Sequence, residues 1–204
     1  MNIQFRIAQA SDQNEACPLI YSSAPEIFDY MFALKKPALE FLQFAFVNES
    51  GLFGHKNHVV ATVKDKVVGI GAFYSGKEYI SLGLGNTKQV FKFFGFAKGT
   101  SVFKKCLQVQ KLIPPPNKST EYVADLGVSE SCRGQGIGSA LLKHQMEVAR
   151  SKKKKFYALD VAANNPRAQK LYKKLGLKVI EERIFAEINP SRPIPNARRM
   201  VMEI

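Results

Sequence analysis

The sequence predicts an α/β fold, a mixed central sheet with helices on its faces, in a single domain spanning residues 1–204. Three observations predict it. Beyond Ser119 the chain reads strand–helix–strand–helix–strand–strand, an alternation that builds a mixed sheet. Hydrophobic residues make up 46% of the chain and charged residues 23%, a balance that separates a globular protein from a disordered one. A glycine-rich turn, Arg133-Gly134-Gln135-Gly136-Ile137-Gly138, directly follows one predicted strand and opens a helix. The length suits one domain with room for a sizeable insertion.

Ile3-Gln4-Phe5-Arg6-Ile7 alternates apolar and polar residues as a half-buried strand does. Ser11-Asp12 then offers a helix N-cap, with Glu15 in the first turns. Residues 18–46 are rich in Phe, Leu and Ala at three- and four-residue spacing, which predicts two helices broken near Lys36-Pro37. His58 to Val63 and Val67 to Tyr74 are β-rich runs joined at Lys64-Asp65-Lys66, a hairpin. Between them and the next strand, residues 75–118 read as an insertion. Gly76, Gly83, Gly85 and Asn86 predict a loop, followed by helices over Val90 to Phe96 and Val102 to Ile113 with an interruption at Lys98-Gly99-Thr100. Pro114-Pro115-Pro116-Asn117 ends the segment. Its Phe91, Phe93, Phe94 and Phe96 beside Lys88, Lys92 and Lys98 fit either a packing face or contact with a membrane surface.

The later elements are better defined. Tyr122 to Val128 is a strand, and Gly134 to Arg150 a helix whose Ile137, Leu141, Met146 and Ala149 would face the core. Phe156 to Val161 is the next strand and Pro166 to Leu175 the next helix, with Gly176 as its C-cap. Leu177 to Phe185 and Arg199 to Ile204 complete the set as strands.

The glycine turn has a physical use. Backbone N–H groups at a helix start lack intrahelical partners, and the helix dipole adds partial positive charge there. Glycines let an anion such as a diphosphate approach that backbone closely. Spacing excludes two common phosphate loops. The dinucleotide fingerprint needs a sixth-position glycine, where Ser139 stands, and a nucleotide-hydrolase loop needs Gly-Lys-Ser or Gly-Lys-Thr, where Gly138-Ser139-Ala140 stands.

Arg133-Gly134-Gln135-Gly136-Ile137-Gly138 resembles the Arg/Gln-x-x-Gly-x-Gly/Ala signature of the GNAT superfamily of acyl-CoA-dependent N-acyltransferases, with Arg133, Gly136 and Gly138 at the signature positions. Downstream, the run from Asn165 to Gly176 is similar to a second family pattern, Asn-x-x-Ala-x-x-Leu-Tyr-x-x-x-Gly, with Asn165, Ala168, Leu171, Tyr172 and Gly176 in place. The resemblance is tight over residues 120–185 and looser before, where the chain looks like a bacterial branch of unknown substrate. It implies a mostly antiparallel sheet with one splayed strand pair, and a helical insertion between the third and fourth strands. Leu126, Gly127 and Val128 would then pair with the pantetheine arm of acetyl-CoA; Gly127 independently suits a bulge or a close backbone approach. The N–H groups of Gly134, Gln135, Gly136, Ile137, Gly138 and Ser139 would hold the pyrophosphate, and Asn165 would hydrogen-bond the pantetheine. Arg133, Arg167, Lys170, Lys173 and Lys174 are placed to meet the nucleotide end.

The same resemblance places Tyr172 where the family often has a general acid that protonates the departing thiolate; the alternative is a buried core tyrosine. An amine attacks a thioester only when neutral, and deprotonating a lysine-like amine at pH 7 costs about 4–5 kcal/mol, so a carboxylate base is expected. Asp125 and Glu121 share parity on one strand, so alternation would turn both towards the cleft, with Asp125 the nearer; or both are ordinary solvated or salt-bridged carboxylates. The implied reaction is acetyl transfer to a primary amine by direct attack in a ternary complex. A non-catalytic acyl-CoA-binding regulatory module is the alternative.

Composition bounds the rest. Cys17, Cys106 and Cys132 are scattered, which argues against a disulfide framework, and no Cys/His spacing predicts a metal. His144 reads as surface or structural, and His55 and His58 have no partner spacing for a metal. No signal peptide or apolar run long enough to span a bilayer is visible, so a cytoplasmic protein is expected, with a homodimer as one form of assembly. The net charge is +13, and from Arg133 onward 16 basic residues face 6 acidic ones. Such a field attracts polyanions, and the two motifs tip the reading towards the cofactor's phosphates. Aromatics are not interleaved with the basic run, which argues against a nucleic-acid partner. Lys152-Lys153-Lys154-Lys155 reads as a solvated helix end.

Overall fold

A computed structural model describes residues 2–186 and 193–204. Its strands are β1 (Gln4–Ile7), β2 (His58–Val63), β3 (Lys66–Ser75), β4 (Thr120–Val128), β5 (Phe156–Ala162), β6 (Lys178–Arg183) and β7 (Ala197–Glu203). They form one seven-stranded sheet in the order β1-β2-β3-β4-β5-β7-β6. Every neighbouring pair is antiparallel except β4 with β5, which is parallel. The predicted mixed, mostly antiparallel sheet is therefore present, with the helical insertion between β3 and β4.

The helices are α1 (Gln13–Ser23), α2 (Pro25–Phe32), α3 (Lys35–Phe46), α4 (Gly76–Leu112), α5 (Ile137–Ser151) and α6 (Pro166–Lys174). One sheet face is covered by α1 to α4, whose Ile20, Phe28, Phe32, Phe41, Phe46, Val90 and Val102 pack in a cluster with Val60 and Ile70 of the sheet. The other face carries α5 and α6, where Leu142, Met146 and Tyr172 meet Val123, Tyr157 and Leu159. The predicted inner face of α5 is correct: Ile137, Leu141, Met146 and Ala149 are all buried.

Three local expectations needed revision. The segment 18–46 belongs to three helices, and Pro37 sits in the first turn of α3, where a missing N–H costs nothing. The breaks fall at Ala24 and at Ala33, the latter with φ 80°. The predicted loop over Gly76 to Asn86 is the first part of α4. Its start is fixed by a capping box, in which the Ser75 N–H and hydroxyl both donate to Glu78, at 2.7 Å each. Burial of Tyr79 and Leu82 against Tyr74 and Tyr122 then outweighs the helix cost of Gly83 and Gly85, about 1 kcal/mol each. The break in α4 lies at Gly95 (φ 71°, ψ −179°), not at residues 98–100. Phe93 and Phe94 are a packing face, with rings 5.7 and 5.5 Å from Phe41, while Phe96 stands 84% exposed at the kink. No helix among the described residues is long and apolar enough to cross a membrane.

Candidate active site

Two departures from regular pairing around β4 create the site. On one edge, β4 bonds β5 only from Thr120↔Phe156 to Val123↔Leu159, although β4 continues to Val128 and β5 to Ala162. Beyond Val123 the two strands part, so β4 keeps a stretch of backbone edge that faces no strand. On the other edge, the pairing steps from Ala72↔Ala124 to Ile70↔Gly127, so three residue steps on β4 match two on β3. The extra residue makes a bulge. Asp125 lies in it with φ 54°, a left-handed conformation that Asp tolerates better than most residues with a Cβ.

The bulge breaks the strand's alternation. Val123 and Leu126 both pack in the cluster beneath α5 and α6. Asp125 turns to the opposite face, where its Oδ2 lies 3.5 Å from His58 Nε2. Glu121 is not beside it, which corrects the expectation that shared parity aims both carboxylates at one cleft. Glu121 is 1% exposed at the far end of β4, with its Oε1 3.4 Å from Lys152 Nζ and its Oε2 3.9 Å from Lys154 Nζ. Two members of the lysine run are therefore partners of a buried carboxylate rather than solvated ends. Gly127 follows the bulge, and a Cβ there would stand 2.3 Å from the Leu19 carbonyl oxygen. Only glycine lets α1 lie this close to the bulged strand.

From Val128 the chain passes through a short 3-10 turn (Glu130–Cys132) into the glycine loop. Gly134 and Gly136 both have φ 83°, and Gly136 is the N-cap of α5 without a side-chain cap. The helix ladder begins with Ala140 N–H to Gly136 O at 2.9 Å, so the N–H groups just before it have no intrahelical acceptor. A Cβ on Gly136 would meet nothing within 4 Å, so the loop is open on that side. Arg133 and Gln135 curl back onto the loop itself: Arg133 Nε donates to Val128 O at 3.2 Å, and Gln135 Nε2 to Ser131 O at 3.1 Å. They brace the cradle. Ile137 is buried, a Cβ on Gly138 would stand 3.5 Å from the Val128 side chain, and Ser139 stands in the first turn of α5.

The second motif lies beside the loop, with Leu171 4.0 Å from where a Cβ on Gly138 would stand. Asn165 Oδ1 caps α6 by accepting the Ala168 N–H at 3.0 Å, with Pro166 at the first helical position. At its other end Gly176 (φ 99°) closes a Schellman turn, its N–H bonding Lys173 O and that of Leu177 bonding Tyr172 O, both at 3.0 Å. Tyr172 is 8% exposed and shares a cluster with Leu126 and Leu142. Burial pushes its phenol up to about 12. The described residues provide no hydrogen bond to its hydroxyl.

A family model described as Acetyltransferase (GNAT) family matches residues 19–177, well over half of the chain. The chain belongs to the GNAT family. A GCN5-related N-acetyltransferase 6, chloroplastic, from Arabidopsis thaliana is 37% identical over 68 residues, which is 33% of this chain and 24% of that protein. The chain thus spans about a quarter of that relative's length. Two solved structures share the GNAT fold at low identity. One described as an acetyltransferase has a TM-score of 0.68 and 22% identity over 98% of this chain and 99% of its own. An N-acetyltransferase from Staphylococcus aureus Mu50 also scores 0.68, with 19% identity over 98% of this chain and 100% of its own.

Within this GNAT frame, sequence reasoning passed over the groups that share Asp125's face. His58 has no metal spacing in the sequence, and no metal-binding group of side chains is found among the described residues. Its ring is fully buried beside Phe46, at 5.8 Å between centroids, and Nδ1 lies 3.0 Å from Gly54 O. Tyr74 and Tyr122 pack side by side on the same face, and burial raises both phenols well above 10, the Asp125 charge adding to Tyr74. Tyr122 Oη donates to Asp160 at 2.7 Å, and Asp160 is bracketed by Arg199 at 2.6 Å and Arg183 at 3.2 Å. These pairs join strands far apart in sequence, and no local pattern marks them. Cys132 packs at the edge of the Ile137 cluster.

Proposed function

We propose that the protein transfers an acetyl group from acetyl-CoA to a primary amine of a small molecule or peptide, by direct attack in a ternary complex. The observation that carries this reading is the bulged end of β4 at the strand splay, running straight into a glycine cradle capped in the left-handed conformation. An extended backbone edge at Leu126 and Gly127 suits the amide groups of a pantetheine arm. Val128 supports the same arm less directly, since its carbonyl already takes the Arg133 guanidinium. The N–H groups of residues 134–139 suit a pyrophosphate. The open side of Gly136 leaves room for it. Asn165 keeps its amide NH₂ for the arm while its oxygen caps α6. Arg167 lies beside Gly134, its Nη2 3.7 Å from where a Cβ on that glycine would stand, and brings positive charge to the same place.

When bound, the thioester supplies an activated acyl carbon; the chain supplies the proton transfers. Asp125 and Tyr172 lie on opposite faces of the sheet at the splay. Asp125 is the general base that takes a proton from the incoming ammonium and frees its lone pair. Tyr172 is the general acid that gives its proton to the departing sulfur. Its pKa of about 12 keeps that proton in place at neutral pH. Glu121 is given no part in the chemistry, because two lysines hold it away from the splay. The acceptor would reach Asp125 from the face lined by Tyr74 and Tyr122. The phenylalanines of α2 and α3 pack mostly against one another and against α4.

The test is titration with acetyl-CoA, followed by transfer to an amine library read by mass spectrometry. Binding at micromolar acetyl-CoA and an acetylated product are expected. Tight binding with no transfer to any amine would make the chain an acyl-CoA-binding module instead. Absence of binding at moderate salt would end the reading.

A further inference from the structure

We propose that His58 is a second proton-holding group of this site, coupled to Asp125, so that the base is the pair and not the carboxylate alone. The inference rests on the reading of Asp125 as the base. The imidazole is 0% exposed, and its tautomer is fixed by geometry. Nδ1 lies 3.0 Å from the Gly54 carbonyl oxygen, which can only accept, so Nδ1 carries the hydrogen. In the neutral ring Nε2 is then a bare acceptor, 3.5 Å from an oxygen of a carboxylate. Nε2 has no hydrogen-bond partner among the described residues. Two acceptors facing each other in a buried place are costly, and one proton between them removes the cost. The structure has built a seat for that proton.

In the reaction the amine N–H bond breaks, its electron pair stays on nitrogen, and the proton goes to the carboxylate of Asp125. A proton on the inner side of the carboxylate passes to Nε2, so the pair holds one more proton than before and gives it to solvent after transfer. Other charged and titratable groups turned towards the pair are few. Tyr74 comes from β3, Asp160 lies further along the same face with its own two arginines, and His55 stands beside Phe46 with Nδ1 bonded to the Phe46 carbonyl.

Two measurements test the coupling. The first follows the His58 ring nitrogens by long-range proton–nitrogen NMR across pH, in the wild type and in Asp125→Asn. The expected result is a hydrogen on Nδ1 in both, with the ring's titration midpoint lower in the variant by about one pH unit or more, the scale of a neighbouring opposite charge. An unmoved midpoint overturns the proposal. The second compares pH–rate profiles of wild type and His58→Gln, with the acidic limb of kcat/KM expected to move and kcat to fall about tenfold or more. An unmoved limb in a folded His58→Gln protein also overturns it. If His58→Gln does not fold, the NMR arm decides, because it needs only the wild type and the near-isosteric Asp125→Asn. Failure of the base reading looks different: Asp125→Asn would then keep full transfer activity, whatever the ring titration does.

Discussion

Asp125 pays for its position with a left-handed backbone, φ 54°, at a cost of about 1–2 kcal/mol for a residue with a Cβ. Asparagine has the same shape and tolerates that conformation equally well, so Asp125→Asn should leave Tm almost unchanged. Transfer activity should fall by about 10²–10⁴-fold, the usual contribution of a positioned base. Loss of less than a few-fold, measured as kcat/KM with a transferable amine, would remove Asp125 from the chemistry. Tyr172→Phe should lower kcat by about 100-fold with little change in KM for acetyl-CoA. Because burial holds the phenol near 12, Tyr172 stays protonated across the neutral and mildly alkaline range. An alkaline limb below about pH 10 therefore belongs to another group, and it should persist in Tyr172→Phe. Glu121→Gln separates structure from catalysis in the other direction. It leaves Lys152 and Lys154 facing a neutral amide, so stability should drop by about 1–3 kcal/mol while kcat holds. Urea unfolding and steady-state kinetics on the same preparation would check both halves.

At the scale of elements, the cradle depends on one backbone conformation. Gly136→Ala puts a methyl into the open side of the loop and forces a Cβ residue to φ 83°. A stability loss of about 1–2 kcal/mol is expected. KM for acetyl-CoA should rise with kcat nearly unchanged, since the strain falls on binding, and isothermal titration with CoA would show the same loss. Elements with local rules were legible in the sequence. The β2–β3 hairpin stands where the sequence predicts it, but its turn is two residues, Lys64 and Asp65 both at positive φ, and Lys66 already pairs with Val63 as part of β3 instead of lying in the connection. Both ends of α6 follow from Asn165-Pro166 and Gly176, whereas α5 starts at Ile137, three residues later than the sequence predicts, because Gly134 and Gly136 both hold positive φ ahead of it. The bulge was not legible, because it is a register relation between β3 and β4, which are separated by the whole of α4. It also moved one member of the parity pair to the other face. His58 was hidden for the same reason: its partner Asp125 lies two strands away in the sheet. The start of α4 was obscured by Gly83 and Gly85, whose cost only tertiary packing offsets.

At the scale of the molecule, four of the buried tyrosines make the fold sensitive to alkali. Tyr74, Tyr122, Tyr157 and Tyr172 are all less than 10% exposed, and burial is the first cause that raises each phenol. The unfolded chain's phenols lose their protons near pH 10, whereas Tyr172 in the fold keeps its proton to about 12. Between those values the unfolded chain binds fewer protons than the folded one, so stability must fall as pH rises. Below pH 10 the Tyr172 contribution is present in full; across the window about 2–3 kcal/mol of it is lost, from two units at about 1.4 kcal/mol each. The other three phenols act in the same direction, and the net charge of +13 shrinks as lysines lose protons, which relieves self-repulsion and works against them. Desolvation of a phenolate in the core outweighs screened repulsion among surface lysines, so the net slope should be downward. Urea unfolding at pH 8.5, 10 and 11 should show the midpoint dropping at each step, more shallowly in Tyr172→Phe. A midpoint independent of pH over that range would mean that the buried phenols reach water in the native state.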